Sequence, residues 1–249
     1  MDGATLVVAH SRGRAVLCAT SLETRLHRSL AWVEEAGGKG EQPFPMDGVS
    51  MTIEDTRRRA SPEEPAARIP PGQRLTDGWP ILHYGDIPRI ALDTWRFHVV
   101  GLVEQQLSLS WPDLMALPQT TVHCDIHCVT HWSRLDNDFT GVLFRDLAAL
   151  ARIRPEACHV MVHSFGGYTT NVSLEELMDE DVLFAHSHDG QPLAPEHGWP
   201  LRLVVPKLYL WKSAKWVRGI ELIDGERAGF WEQYGYHIHG DPWKEERYS

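Results

Sequence analysis

At 249 residues, 43% of them hydrophobic and 23% charged, the chain is long enough to bury a sizeable core as one large domain or two small ones. Its formal net charge of -10 argues against nonspecific binding to nucleic acid or an anionic membrane surface. Four cysteines are too few for a disulfide framework, and no apolar run approaches the roughly 20 residues that cross a bilayer.

Met1 to Ala15 carries Asp2 and no long apolar core, so it makes a poor secretory signal. Arg57-Arg58-Arg59 is followed by Ala-Ser-Pro-Glu-Glu-Pro rather than the apolar stretch of a twin-arginine signal, and a cytoplasmic protein is expected. Ser21 and Thr24 ahead of Leu26, Leu30 and Val33 predict one short helix ending at Gly37-Gly38. Residues 38–72 are rich in Gly, Pro, Glu and Arg and read as linker. Residues 1–67 are therefore taken as an extension and linker, disordered or an overlong start with Met46 or Met51 as alternatives. Residues 68–249 are taken as the folded domain.

From Trp79 the signals sharpen. Trp79 to Pro88 reads as a strand edge broken by turn residues, and Trp95-Arg-Phe-His-Val alternates as a half-buried strand does. Ser110 caps a short helix with Pro112 in its first turn, and Pro118 stops it. The β-branched run Thr120 to Ile126 predicts a strand that delivers Cys128 to the loop at its end. Gly141 to Ile153 has helical spacing, His159 to His163 is a strand, and Ser173-Leu-Glu-Glu opens a helix with a capping box. Leu201 to Val205 and Trp216 to Ile223 are later strands. Strands and short helices mix without a regular alternation, so the fold class is α+β with a mixed sheet.

Three groups of residues carry the chemistry. Thr121 to Asp136 packs Cys124, Cys128, His123, His127 and His131 into 16 residues, with Trp132 and Arg134 just behind. Thiolate and neutral imidazole are metal donors. One thiolate at a metal centre, with Cys128 the candidate, is the first reading. A zinc site needs a second donor pair that Cys158-His159 supplies awkwardly, and Cys124 as a small core residue is the plain alternative. Between Leu201 and Ile220 lie Arg202, Lys207, Lys212, Lys215 and Arg218 with no acid, beside Tyr209, Trp211 and Trp216. In so acidic a chain this suggests a phosphate site with aromatic walls, or else a solvated strand edge kept from pairing by its lysines. Glu196-His-Gly-Trp-Pro-Leu-Arg202 is a turn that brings His197 near Arg202, ahead of a loop at Ser213-Ala214 whose amides suit an anion.

Asp125-Ile-His-Cys-Val-Thr-His-Trp-Ser-Arg-Leu-Asp, Pro195-Glu-His-Gly-Trp-Pro-Leu-Arg-Leu-Val-Val-Pro and Leu210-Trp-Lys-Ser-Ala-Lys-Trp-Val resemble the molybdopterin-binding domain of the sulfite oxidase family. The likeness spans about residues 68–249, and is nearest to the small bacterial sulfite oxidase-like branch related to the methionine sulfoxide reductase catalytic subunit. It implies a mixed α+β domain around one molybdenum–molybdopterin cofactor. Cys128 stands where the family's molybdenum ligand stands. The same likeness matches His83 and Tyr84, His163 and Ser164, His197 and Arg202, and Lys212, Ser213, Ala214 and Lys215 to cofactor-contacting positions. Arg134, His131 and Trp132 follow the ligand and are candidates for the substrate pocket, with core packing the alternative for the last two. His197 replaces an Asn of some relatives. The arginine-rich pocket of sulfite oxidases is not evident beyond Arg134, and counterparts of the family's dimerisation and haem domains are missing.

The resemblance thus implies oxygen-atom transfer on a small oxyanion or sulfoxide-type substrate by a monomer that exchanges electrons with a separate cytochrome or quinone-linked carrier. The alternatives are a zinc-stabilised module, a cofactor-free binding module, and a relative that holds the cofactor without turning over.

Overall fold

The computed structural model describes residues 65–249, so the helix expected after Ser21 and most of the extension lie outside the described residues. The strands are β1 (Arg74–Leu75), β2 (Arg96–Gly101), β3 (Leu107–Ser110), β4 (Thr120–Cys128), β5 (Trp132–Leu143), β6 (His159–Ser164), β7 (Thr169–Ser173), β8 (Leu183–His188), β9 (Gln191–Pro192), β10 (Arg202–Val204) and β11 (Val217–Ile223). The helices α1 (Trp111–Met115), α2 (Phe144–Ala151) and α3 (Leu174–Leu177) are short. No helix among the described residues is long and apolar enough to cross a membrane.

The strands form two mixed sheets, as the α+β class requires. One has the order β1-β5-β8-β10, with β4 also paired to β5 and β9 to β8; the other has the order β3-β2-β11-β6-β7. Among the described residues only β1–β5 and β11–β2 pair in parallel. Phe97, Val99, Val160, Val162, Ile220 and Leu222 bury one face of the second sheet in a core shared with α2 and with Leu201, Leu203 and Val205. A second cluster gathers Val122, Cys124, Ile126 and Cys128 of β4 with Phe139, Tyr209 and Trp211.

The local signals explain most ends. Ser110 Oγ accepts the Asp113 amide at 3.3 Å while the Asp113 carboxylate accepts the Ser110 amide at 2.9 Å, closing α1 as a capping box. Ser173 Oγ accepts the Glu176 amide at 3.2 Å; its hydroxyl also meets the Glu176 carboxylate, so the box is only half formed. Two expectations fail, and one strand carries no sequence signal. Trp79 to Pro88 joins neither sheet and forms an arm, bent at Tyr84-Gly85. Gly141 to Leu143 continue β5, and the helix starts only at Phe144. Strand β5 itself went unread because Asp136, Asn137 and Asp138 look like a turn. In the fold Asn137 donates to the Cys124 and Arg134 carbonyls, and Asp138 holds His123 at 2.8 Å.

Candidate active site

Strand β4 carries Cys124 and Cys128 four residues apart on one buried face. At about 3.3 Å per residue their α-carbons are roughly 13 Å apart, so the two thiols cannot grip one metal. Their surroundings also differ. Cys124 is packed in the interior, and burial, then Asp181, Asp125 and Asp138, push its thiol well up. Cys128 closes the strand and lines a cavity of about 290 Å³. Burial raises its thiol too, but contact with Thr130 and the charges of Arg247 and Lys215 oppose that rise. Thr130 Oγ1 lies 3.1 Å from Cys128 Sγ, placed to donate to a thiolate.

The rest of the cavity wall comes from distant parts of the chain. The arm from Trp79 to Tyr84 forms one side, with His83 and Tyr84 on it. Loop residues Ser213, Ala214, Lys215 and Trp216 form another, with Arg202 of β10 beside them. Trp132, Tyr168, Trp211, Trp231 and Tyr236 supply aromatic faces. Gly198, at φ +115°, lets the preceding turn pass the loop, since a Cβ there would sit 3.1 Å from Arg202 and 3.2 Å from Lys215.

Arg202 is the unusual group. It is 2% exposed, and Nη1 donates to His197 O at 2.9 Å and Nη2 to Ser213 O at 3.0 Å. Nε is buried with no partner, and no carboxylate of the described residues pairs with the guanidinium. Burial pushes it down to about 10. Trp79 lies 4.9 Å from the guanidinium and stacks on His197 at 4.0 Å, 7° from parallel. His197 Nδ1 is buried without a partner, and burial, then Arg202 and Lys215, hold the ring down at about 4, hence neutral. Lys215 Nζ donates to Leu82 O at 2.8 Å and Glu196 O at 2.6 Å, tying the arm to the loop. Burial, then Arg202, push Lys215 down to about 7, against the opposite pull of Cys128 and Glu196.

That last value makes a prediction. A folded pKa below the ordinary lysine value penalises the native state fully below about pH 7, and the penalty lifts as pH rises towards the free-lysine range. An anion in the cavity reverses the balance by favouring the ammonium. Binding of inorganic pyrophosphate to the apoprotein at pH 8 should therefore take up close to one proton, read by calorimetry in two buffers of different ionisation heat. Equal heats in the two buffers would remove Lys215 from the anion site.

Ten of the residues singled out in the sequence thus share one cavity wall: His83, Tyr84, Cys128, Trp132, Arg202, Trp211, Ser213, Ala214, Lys215 and Trp216. His197 stands one layer behind, stacked on Trp79. The others do not line the cavity. Lys212 is fully buried with Nζ on Glu232 at 2.5 Å, both Asn171 oxygens and Ile238 O, an internal ion pair rather than an anion ligand. Arg134 is engaged by Asp189 at 2.8 Å, His188 Nε2 at 2.7 Å and the Asn137 amide oxygen. His131, at φ 67°, meets Gly72 O through Nδ1 at 2.9 Å. His163 meets Glu221 across the β6–β11 ladder at 3.2 Å. Ser164 is buried in the same ladder and its Oγ has no partner.

The basic island divides as well: Lys207 pairs with Asp179 at 2.6 Å, and Arg218 lies over Phe165. Sequence reasoning missed Trp79, Thr130, Tyr168, Trp231 and Tyr236. Thr130 stands two residues after Cys128 and local sequence could have found it; nothing local sets the four aromatic residues beside the cysteine.

One thiol, two cations without carboxylates, buried orphan N–H groups on Arg202 and Trp132, and flat aromatic walls suit a planar anionic cofactor that carries its own metal. They do not suit a metal held by protein alone: among the described residues no three His, Cys, Asp or Glu side chains converge to hold one. The zinc alternative therefore lacks its donor set there, since His123 is committed to Asp136 and Asp138 and His127 to Ser133.

Residues 84–231 match the family model described as the oxidoreductase molybdopterin binding domain. An uncharacterized oxidoreductase of Bacillus subtilis, YuiH, is 46% identical over 185 residues, covering 74% of this chain and 93% of that protein. A protein of Azospira oryzae, named provisionally as a protein-methionine-sulfoxide reductase subunit, is 27% identical over 70% of this chain and 67% of its own. The crystal structure of the sulfane dehydrogenase SoxCD from Paracoccus pantotrophus superposes with a TM-score of 0.54 at 20% identity, covering 74% of this chain and 58% of that one, and supports the fold alone. With cavity, fold and family model in agreement, the chain belongs to the sulfite oxidase-like molybdopterin-binding oxidoreductases, enzymes that work with the molybdenum–molybdopterin cofactor.

Proposed function

We propose that this oxidoreductase removes an oxygen atom from a small neutral S-oxide or N-oxide, in preference to an oxyanion. The observation that supports the reading is where the positive charge sits. The cationic side chains on the cavity wall are Arg202 and Lys215, both placed to hold the cofactor's phosphate. Thr130, Trp132, Trp231 and Tyr236 of the same wall carry no charge, and the Lys215 ammonium whose charge reaches Cys128 is tied to the Leu82 and Glu196 carbonyls. Arg134, the candidate to attract an oxyanion, is bound by Asp189.

When bound, the cofactor supplies the two-electron redox change at which oxygen is transferred. Cys128 is assigned as the protein's ligand to the metal, with Thr130 donating to its sulfur. Arg202 and Lys215 would bind the phosphate, while the Ser213 amide is committed to Leu210 O at 3.1 Å. His83, Tyr84 and Trp216 flank the pterin, and the neutral His197 fixes Trp79 behind it. The aromatic walls exclude water and receive the apolar part of the substrate. The overall reaction balances as one oxide, two electrons and two protons giving the reduced compound and water. The electrons come from a separate carrier protein of the cytochrome or quinone-linked kind.

The test uses enzyme expressed with molybdate, checked for molybdenum and pterin, and driven by a reduced artificial electron carrier. Methionine sulfoxide and trimethylamine N-oxide should show kcat/KM at least about tenfold above nitrate, since an unpaired buried charge costs roughly 1.5–3 kcal/mol. Faster nitrate reduction, or sulfite oxidation with an oxidised dye as the dominant activity, would refute the preference.

A further inference from the structure

The segment around Cys128 is held from three remote parts of the chain. Leu210 N donates to His127 O at 2.9 Å, and His131 N and Gln73 Nε2 both donate to Cys128 O, at 3.1 and 3.0 Å. Arg74 N donates to His131 O at 3.1 Å. The Val129 carbonyl, next to the cysteine, accepts from Arg247 Nη1 at 2.7 Å.

Arg247 is an unexpected residue to find there. It lies in the segment after Tyr236, which reaches the cavity through Tyr236 itself and is bridged back by Tyr236–Tyr248. Yet the arginine is 7% exposed, packed over the Tyr209 ring at 5.0 Å. Its Nη2 is buried with no hydrogen-bond partner, and the carboxylate it faces is Glu245, 3.9 Å away and half exposed. A guanidinium this poorly compensated costs stability unless its charge serves something. Through the Val129 carbonyl its charge is fixed one residue from Cys128.

We propose that Arg247 is a positioning residue for the metal-ligating thiolate, fixing the Val129 carbonyl and placing a positive charge behind Cys128. The assignment rests on Cys128 being the ligand. The hydrogen bond sets the direction in which the sulfur leaves β4, and so the orientation it presents to the metal. The charge stabilises the electron-rich, reduced form of the site and so raises its reduction potential.

The test uses holoenzyme variants Arg247→Gln, Arg247→Lys and Glu245→Gln, with the Mo(V) paramagnetic resonance spectrum and the metal's midpoint potential as readouts. Arg247→Gln should lower the potential and shift or split the Mo(V) signal. In the apoprotein it should also speed amide exchange across residues 128–131 about tenfold, as loss of a charged hydrogen bond would. Arg247→Lys should recover most of the potential. Glu245→Gln, at an exposed position, should move the potential the opposite way, because it unmasks the guanidinium. A wild-type spectrum and potential in Arg247→Gln overturn the proposal, as does equal damage from the Gln and Lys variants. Should Arg247→Gln fail to accumulate, an unchanged potential in Glu245→Gln overturns it alone. Failure of the underlying ligand assignment shows separately, as molybdenum retained with an unaltered Mo(V) signal in Cys128→Ser.

Discussion

Cys128→Ser is expected to lower dye-linked turnover by about a thousandfold or more while leaving the fold standing. Losing a hydrogen-bond partner of a metal ligand typically costs about 10–100-fold, and loss of the ligand itself should exceed that. Serine fits the space, because a hydroxyl replaces a slightly larger sulfur beside Thr130 at the cavity wall. It fails electronically, since an alcohol does not ionise or donate to a soft metal as a thiol does. The matched control is Cys124→Ala, four residues back on the same strand. Cys124 packs among Val122 and Ile126, away from the cavity, so this change should cost about 1–2 kcal/mol of stability and leave turnover within a few-fold of wild type. Turnover and metal content are measured on both variants, with the thermal midpoint as the check on folding. Equal losses from the two substitutions would mean that position along β4 matters and thiolate chemistry does not.

The two cysteines also show what could be read before the fold was known. A β-branched run ending at Ile126 placed Cys128 at a strand end, and strand ends are where chains open onto cavities. That inference needs only local pattern. The same reading put Arg134 in the substrate pocket and Lys212 in the phosphate site, and both assignments required knowing what lies opposite. Arg134 is taken by Asp189, 55 residues on, and Lys212 by Glu232 and Asn171. Five cations without a local acid look like one site in sequence. In space Lys207 and Lys212 pair with carboxylates and Arg218 lies over Phe165, and of the five only Arg202 and Lys215 reach the cavity. The arm from Trp79 failed for a related reason. Its alternation of apolar and turn residues is that of a strand, but Trp79, Leu82 and Tyr84 line a cavity rather than a sheet, and Ile81 is exposed.

Arg202→Met should separate stability from cofactor binding. In the apoprotein the guanidinium is buried without an anion, and its depression to about 10 marks a cost of a few kcal/mol. Methionine fills a similar volume under Trp79 without that cost. Against the gain stand two lost hydrogen bonds, to His197 O and Ser213 O, which leave buried carbonyls unpaired. The two effects should nearly offset, so the apoprotein's stability is expected to change by no more than about 1–2 kcal/mol. Cofactor retention should behave differently. A phosphate held by a guanidinium fork gains roughly 1.5–3 kcal/mol per charged hydrogen bond, so its loss should weaken cofactor binding by about a hundredfold. Pterin bound per polypeptide after gel filtration and the apoprotein's thermal midpoint read the two quantities independently. A large fall in the midpoint with pterin content unchanged would make Arg202 a bracket between two turns, and the cavity's positive end would need another explanation.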